Sequence, residues 1–249
     1  MRLKDTQKYW DFFGKSDPLF FILTFKDKRG GKWNKEEFFN TGKQEIAESI
    51  NYIKSLGLGI PLGRALDFGC GVGRLTQSLA DNFSEVCGVD IAPSMITLAN
   101  QYNRHGDKCK YFLNQKDNLG LFPDRSFSFI YSKITLQHMA PEYSKNYIKE
   151  FARLLKPGGL MLFQLPSESN VNTTPLTLKS RLKKALPVFL TDKYYRVKYY
   201  FQPVVEMYGT PAEEVKKILN KCGARVIDVE PDESAGKNWK SFQYLAEIK

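Results

Sequence analysis

The sequence is poor in the residues that build disulfide-bonded or metal-binding proteins. Its 249 residues include 4 cysteines and 2 histidines. The cysteines, Cys70, Cys87, Cys109 and Cys222, show neither a CxxC pair nor the spacing of a metal finger. We expect reduced thiols that pack in apolar surroundings, and we predict no metal site.

Long apolar runs are lacking as well. No stretch approaches the roughly 20 residues that span a bilayer, and the first residues, MRLKDTQKYWDFFGK, have no apolar signal-peptide centre. Internal repeats and low-complexity tracts are absent from the sequence. Hydrophobic residues make up 42% of the chain and aromatics 14%, so a folded core and a cytoplasmic location are expected.

Acidic residues are outnumbered by basic ones, which gives a formal net charge of +10. Between Ser169 and Phe201, seven Lys or Arg side chains accompany a single Asp. One interpretation is a solvated helix face. The other is a surface that attracts an anionic acceptor, a membrane or nucleic acid.

From Arg64 onward, short β-branched or aromatic runs alternate with longer amphipathic stretches, a pattern typical of βαβ units. A turn, Lys156-Pro157-Gly158-Gly159, ends one helix, and a later helix is expected to begin with Thr210 as its cap and Pro211 at its first position. Strands are predicted at 64–68, 85–89, 109–113, 127–132, 160–165, 224–229 and 242–248, and helices at 74–82, 94–104, 142–155 and 211–222.

This order predicts one α/β domain with a doubly wound, mostly parallel seven-stranded sheet and an antiparallel C-terminal hairpin. Residues 1–63 would form an N-terminal helical extension, 64–166 a cofactor-binding core, 167–210 a substrate-side insertion or lid, and 211–249 the last helix and hairpin. Aromatic side chains are unusually frequent in the extension, where they either pack a layer on the sheet or roof the site. They are Trp10, Phe12, Phe13, Phe20, Phe21, Trp33, Phe38 and Phe39.

A glycine-rich turn follows the first predicted strand in the run ALDFGCGVGR, residues 65–74. Glycines let the backbone approach a ligand, and a helix start offers free amides. A dinucleotide fingerprint needs Gly or Ala at position 74, where this chain has Arg74. Asp67 suits a cofactor with an ammonium group. Asp90, at the end of the next strand, can accept hydrogen bonds from a ribose or cap the following loop.

Four segments resemble, in order, the motifs of class I S-adenosylmethionine-dependent methyltransferases: ALDFGCGVGRLTQSLA, VCGVDIAPSMITLA, LFPDRSFSFIYSKITLQHM and YIKEFARLLKPGGLMLFQLP. The resemblance covers residues 64–166, and 224–249 resemble the terminal hairpin of that fold. It implies S-adenosylmethionine as cofactor and S-adenosylhomocysteine as product. It places the methionine part at Asp67, Gly69, Gly71 and Gly73, with Cys70 in the same cofactor loop, and the ribose hydroxyls at Asp90. It places the adenine or its ribose at Ile91 and Met95, and the adenine edge at Asn114 and Asp117. From their positions, Arg74 is expected to meet the cofactor carboxylate or an adjacent loop, and Ser132 to lie beside the methyl donor.

His138 follows the fourth strand, at the edge where open α/β sheets place their sites. It is the candidate catalytic base, which is needed only if the acceptor must lose a proton. The alternative is a histidine that orders its own loop.

We expect methyl transfer to an O or N atom of a small molecule that is anionic or glycosylated, since similar sequences often modify sugars or glycoconjugates. A nucleic-acid methyltransferase is the alternative that the charge favours. However, Tyr131-Ser132-Lys133-Ile134 lacks the Asn/Asp-Pro-Pro-aromatic motif of many base-methylating enzymes. A non-catalytic cofactor-binding protein is the third hypothesis.

Overall fold

The computed structural model describes residues 2–170 and 205–249. Most of the basic segment 169–201 lies outside these residues, so its surface role stays a prediction. Within the described part, no helix is both long and apolar enough to cross a membrane. The four cysteines are free thiols, three of them buried.

The elements follow the predicted order closely. The helices are α1 (Leu3–Ser16), α2 (Pro18–Ile22), α3 (Lys35–Ser55), α4 (Arg74–Leu79), α5 (Pro93–Tyr102), α6 (Pro141–Leu154) and α7 (Ala212–Lys221). The strands are β1 (Arg64–Phe68), β2 (Glu85–Asp90), β3 (Cys109–Leu113), β4 (Phe127–Ser132), β5 (Leu155–Ser169), β6 (Ala224–Pro231) and β7 (Trp239–Ile248).

The seven strands form one sheet in the order β3-β2-β1-β4-β5-β7-β6. Strands β1 to β5 pair in parallel, whereas β7 is antiparallel to both β5 and β6. The doubly wound sheet with an antiparallel hairpin is therefore confirmed. The strand order reverses between β1 and β4, and this is the point where open α/β sheets bind ligands.

The central strands are buried on both faces, as expected where helices cover a parallel sheet. Every residue of β4 is buried, with Phe127 and Phe129 pointing into separate core clusters. Phe127 packs with Phe151 of α6 on one face. Phe129 packs with Ile53 of α3 on the other.

Two details differ from the predicted elements. Strand β5 is continuous from Leu155, because Leu155 pairs with Phe127 before the Lys156–Gly159 turn and Leu160 pairs with Phe129 after it. The turn is thus a bulge within the strand. Helix α7 begins at Ala212, one residue later than expected, and Ser167 Oγ, not Thr210, accepts from the Ala212 amide at 3.1 Å.

The N-terminal extension is helical, as predicted, and docks on the two helices that follow β1 and β2. Ser94, in the first turn of α5, donates from its amide to Asp11 Oδ1 and from its hydroxyl to Asp11 O, each at 2.9 Å. An aspartate at a helix N-terminus is favourable because it faces the positive end of the helix dipole. On the neighbouring helix, the Arg74 guanidinium donates to Glu45 of α3 at 2.8 Å.

Gly42 lets α3 approach α4 closely. A Cβ at this position would lie 2.7 Å from the Arg74 carbonyl oxygen. We predict that Gly42→Ala lowers the free energy of unfolding by about 1–3 kcal/mol, although alanine is the better helix former. Urea unfolding followed by circular dichroism measures this change.

Asn51→Ala is the matched control, since Asn51 lies on an exposed position of the same helix. It should leave stability unchanged or raise it slightly. A stabilising Gly42→Ala would contradict the close contact between α3 and α4.

Candidate active site

A cavity of about 680 Å³ lies at the carboxyl ends of β1, β2 and β4. Its floor includes Phe68, which ends β1, Asp90, which ends β2, and Lys133, which follows β4. The N-terminal extension forms much of the opposite wall. The volume falls within the range of small-molecule and cofactor pockets.

Two glycines of the predicted loop lie where no side chain would fit. Gly69 has a φ of +82°, and a Cβ on it would lie 2.2 Å from the Thr135 side chain. Gly71 has a φ of +53°, and its Cβ would meet Ile22 at 2.8 Å. Both residues line the cavity. The loop therefore brings bare backbone against the cavity, as a cofactor cradle requires.

Asp90 joins the glycine loop to the start of α5. Its Oδ2 accepts from the Gly71 amide and its Oδ1 from the Ala92 amide, each at 2.9 Å. Asp90 therefore caps the loop and the start of α5, as one of the two interpretations expected. Each carboxylate oxygen can still accept a second hydrogen bond, so a ribose hydroxyl could also bind there. Burial raises the pKa of Asp90 above its usual value.

Arg74 lines the cavity, but its guanidinium is committed to the N-terminal extension. It donates to Glu45 at 2.8 Å and to Thr41 at 3.3 Å, and Tyr131 of β4 donates to the same Glu45 carboxylate. The Nε atom is buried without a hydrogen-bond partner. Arg74 was expected to meet the cofactor carboxylate or an adjacent loop, whereas the structure pairs its guanidinium with helix α3.

Asp67 lies under the loop and does not line the cavity. Its Oδ2 accepts from Thr76 Oγ1 at 2.6 Å. Burial raises the pKa of Asp67 to about 7, against the lowering effect of that hydrogen bond and of Arg74. A cation bound near this carboxyl would favour its ionised form.

Eight of the thirteen residues assigned from the sequence line the cavity. They are Gly69, Cys70, Gly71, Arg74, Asp90, Ile91, Asn114 and His138.

Five of the assigned residues lie outside the cavity wall. Besides Asp67, Gly73 precedes the first turn of α4, and Met95 is fully buried among the aromatics of the extension. Ser132 donates to the Phe68 carbonyl at 3.0 Å. Asp117 is exposed. The turn that carries Asp117 is held by the side-chain amide of Asn114, which donates to Asn118 O at 2.8 Å.

His138 is half-buried against Trp10, with ring centroids 5.5 Å apart. Its Nε2 lies 3.3 Å from Gln137 Nε2, and its Nδ1 lies 3.5 Å from the Glu206 carbonyl oxygen. A proton on Nδ1 satisfies both contacts. Burial lowers the pKa of His138 to about 4, so the ring is neutral at physiological pH.

The turn that carries His138 is fixed by Gln164 of β5, whose side chain is fully buried. Its Oε1 accepts from the Ile134 amide, and its Nε2 donates to Gln137 Oε1, both at 3.1 Å. Ile134 has a φ of +56°, a costly conformation for a β-branched residue that persists only where the surroundings impose it.

The wall opposite the sheet comes from residues that motif analysis does not assign. Leu3, Thr6, Trp10 and Phe13 share one face of α1 and line the cavity, together with the segment 21–25. The high frequency of aromatic residues in the extension was the sequence feature that pointed to this wall. The aromatic residues both roof the site and pack an added layer. Phe13 shows this, because it lines the cavity and also belongs to the buried cluster that packs on α5.

The loop between β6 and β7 supplies another part of the wall. Ser234, Ala235 and Gly236 line the cavity, and Lys133 forms an ion pair with Asp232 at the start of this loop. No sequence motif indicated this contribution. It depends on the hairpin folding back beside β5.

Comparison with known proteins agrees with this architecture. A family described as "Methyltransferase domain" matches residues 66–163, which include the glycine loop, Asp90 and His138. The central part of the chain, residues 66–163, is thus similar to a methyltransferase domain. The matched range ends within β5, so the N-terminal extension and the C-terminal hairpin flank it.

Curated relatives of the methyltransferase domain carry several activities in their names. Phosphoethanolamine N-methyltransferase 3 of Arabidopsis thaliana is 33% identical over 51% of this chain and 25% of its own length. Ubiquinone biosynthesis O-methyltransferase of Xanthomonas oryzae is 28% identical over 54% of this chain and 55% of its own. The chain thus spans between about a quarter and about half of these two relatives.

Solved structures share the fold over nearly the whole chain. The magnesium protoporphyrin IX methyltransferase of Synechocystis, solved with bound S-adenosylhomocysteine, has a TM-score of 0.67 at 17% identity and covers 99% of both chains. A methyltransferase of Leishmania major has a TM-score of 0.64 at 16% identity, over 98% of this chain and 82% of its own. The extension and hairpin therefore belong to the shared fold.

The low pKa of His138 can be measured directly, because the chain has only one other histidine, His105. In a His105→Asn variant, we expect the imidazole signals to titrate with a midpoint near 4 instead of the usual value of about 6.5. Proton NMR between pH 3 and 8 follows this transition. A midpoint near 6.5 would contradict the burial of the ring.

Proposed function

We propose that the chain is an S-adenosylmethionine-dependent methyltransferase that acts on an O or N atom of a small molecule. The observation that carries the proposal is the juxtaposition of Gly69, Gly71 and Asp90 on one floor of the cavity, with His138 and the aromatic wall beside it. The names of the relatives and the cofactor product in the Synechocystis structure support the same cofactor.

The residues present fit this cofactor. The Gly69–Gly71 backbone would face the methionine part, and Asp90 has acceptor capacity left for the ribose hydroxyls. Ile91 and Asn114 lie on the same wall and would border the adenine. Asp67, which has no place on the cavity wall, would act on an ammonium group from beneath the loop, through its charge.

The acceptor would lie between the 133–139 turn and the N-terminal extension. Trp10, Phe13 and Phe21 make this wall largely apolar, and it favours a flat or apolar acceptor because aromatic faces bury such groups well. Among the described residues, Lys133 is the cation on this side of the cavity, and Asp232 balances its charge. A sugar or an anionic acceptor stays a prediction.

Bound S-adenosylmethionine would supply a methyl group on a cationic sulfur, which leaves as a neutral thioether. The acceptor lone pair forms the new bond to the methyl carbon while the carbon–sulfur bond breaks and its electron pair stays on sulfur. The protein has to align the acceptor and exclude water. If the acceptor is a hydroxyl, its proton has to be removed, and the neutral His138 ring is the candidate base.

A nucleic-acid acceptor draws its support from the net charge, while the apolar acceptor wall favours a small molecule instead. A non-catalytic cofactor-binding protein would keep the glycine loop and Asp90 but release no S-adenosylhomocysteine. A screen of acceptor classes with a coupled assay for that product separates these hypotheses.

Calorimetry tests the cofactor half of the proposal. We expect the full chain to bind S-adenosylmethionine and S-adenosylhomocysteine but not NADH. Asp90→Asn should weaken binding by at least ~10-fold, because one acceptor of the ribose bonds becomes a donor. Asp117→Asn is the control: this carboxylate lies outside the cavity, so the affinity should be kept. Equal losses in the two variants would refute the assignment of Asp90.

Turnover tests the role of His138 once an acceptor is known. For a hydroxyl acceptor, His138→Ala should lower turnover by at least ~100-fold while the cofactor dissociation constant changes little. Initial rates of S-adenosylhomocysteine release and calorimetry on the same preparation measure both quantities. Unchanged turnover would assign His138 to ordering its loop.

A further inference from the structure

The rim of the cavity carries an exposed aromatic side chain. Phe25 follows α2, lines the cavity and is 53% exposed. Its neighbour Thr24 is also exposed and also lines the cavity. The apolar wall described above thus reaches the protein surface at this point. We call residues 23–35 the rim segment.

Basic residues are frequent in the rim segment, mostly between Phe25 and Trp33, whose ring centroids lie 5.5 Å apart. The segment contains five Lys or Arg residues and a single acid, Asp27. Lys26 and Lys32 are exposed. Lys28 pairs with Glu37 of α3 at 2.6 Å. The rim segment therefore combines an apolar contact with a net positive charge.

Among the residues that the structure describes, the other large exposed apolar side chains do not line the cavity. Leu62 is 85% exposed, more than Phe25, but it precedes β1 and so lies at the opposite edge of the sheet from the cavity. The residues around it, Leu58–Gly63, carry no charge. Exposure by itself is common on protein surfaces. What distinguishes Phe25 is its place on the rim of an apolar cavity among lysines.

We propose that the rim segment docks on an anionic lipid surface, and that the cavity takes an amphiphilic acceptor from that surface. The acceptor half of this statement rests on the proposed methyltransferase function, whereas the docking half does not. Aromatic side chains partition into the lipid interface, and lysines beside them are attracted to anionic headgroups. The acceptor would then pass from lipid to the Trp10 and Phe21 wall without crossing water.

A lipid surface suits these observations better than nucleic acid does. Both are anionic and would attract Lys26 and Lys32. Single-stranded nucleic acid would stack its bases on exposed aromatic faces along a basic groove. Here the exposed aromatic leads into an apolar cavity, which suits the tail or ring of an amphiphile.

Co-sedimentation of the full chain with lipid vesicles tests the docking. We expect binding to vesicles of phosphatidylcholine mixed with phosphatidylserine, little binding to phosphatidylcholine alone, and weaker binding in high salt. Lys26→Gln/Lys32→Gln should lower the partition coefficient by ~10-fold, since each basic residue near an anionic surface adds to the attraction. Phe25→Ser should lower it as well, because its ring no longer enters the interface.

Two matched variants control for general effects. Lys26→Arg/Lys32→Arg keeps the charge and should keep binding, and Leu62→Ser removes a more exposed apolar side chain and should also keep it. Thermal unfolding of each variant confirms that the fold is intact. Lys26 and Lys32 are exposed, so their double variant tests the proposal even if Phe25→Ser is unstable.

Several results would overturn the proposal. They are no binding of the wild-type chain to phosphatidylserine vesicles, or binding that the rim variants keep and that disappears when Lys179, Lys183 and Lys184 of the insertion are neutralised. Binding of a short RNA without vesicle binding would identify a nucleic-acid surface. A dimer that Phe25→Ser dissociates, without vesicle binding, would identify a second copy as the partner.

Calorimetry with S-adenosylmethionine on the same preparations separates this proposal from the proposed function. The Lys26→Gln/Lys32→Gln variant should keep cofactor affinity, because neither lysine lines the cavity. Loss of vesicle binding with cofactor binding intact supports the rim assignment. A wild-type chain that binds vesicles but no cofactor would remove the methyltransferase function and leave the docking.

Discussion

The Asp90 carboxylate is the contact on which the geometry of the cavity floor depends. It accepts from Gly71 on one side and from Ala92 on the other, so it ties the loop after β1 to the start of the helix after β2. These two connections border the point where the strand order reverses. The loop glycines leave no room for a Cβ beside Thr135 and Ile22, so at Gly69 and Gly71 the bare backbone lies against these side chains.

The N-terminal extension turns this open floor into a cavity. Its anchors include Asp11 at the first turn of α5 and Glu45 on Arg74 of α4. Each anchor lies on a helix that begins beside the glycine loop or Asp90. The same contacts hold the acceptor wall, with Trp10 next to Asp11 on α1, over the floor. Burial of Arg74 makes its anchor costly to break from one side.

Much of the fold could be predicted from the sequence. The spacing of apolar residues and the glycines and prolines at the ends of elements are local signals. Strands β1, β3 and β4 begin and end where they were predicted. Thr210 was wrongly expected to cap α7, because the acceptor comes from Ser167, on a strand more than forty residues earlier. The residues around Thr210 give no indication of a hydrogen-bond partner that lies so far away along the chain. The same reason explains why Gln164, which fixes the turn at Ile134, and the Ser234–Gly236 wall were not found.

Site residues divide in the same way. Gly69 and Gly71 belong to the loop directly after β1, and Asp90 is the last residue of β2. Local motifs mark these positions in the sequence, and all three residues line the cavity. Met95 and Asp117 were assigned from the likeness to other methyltransferases, across segments where a shift of one residue changes the face that a side chain occupies. The structure puts Met95 in the core and Asp117 on the surface.

A crystal structure of the chain with S-adenosylhomocysteine would test the account most directly. We expect the ribose hydroxyls within hydrogen-bond distance of the Asp90 oxygens and the homocysteine part along Gly69–Gly71, with its sulfur facing the wall formed by Trp10 and His138. A ligand bound outside this cavity, or a cavity that stays empty at saturating ligand, would contradict the account.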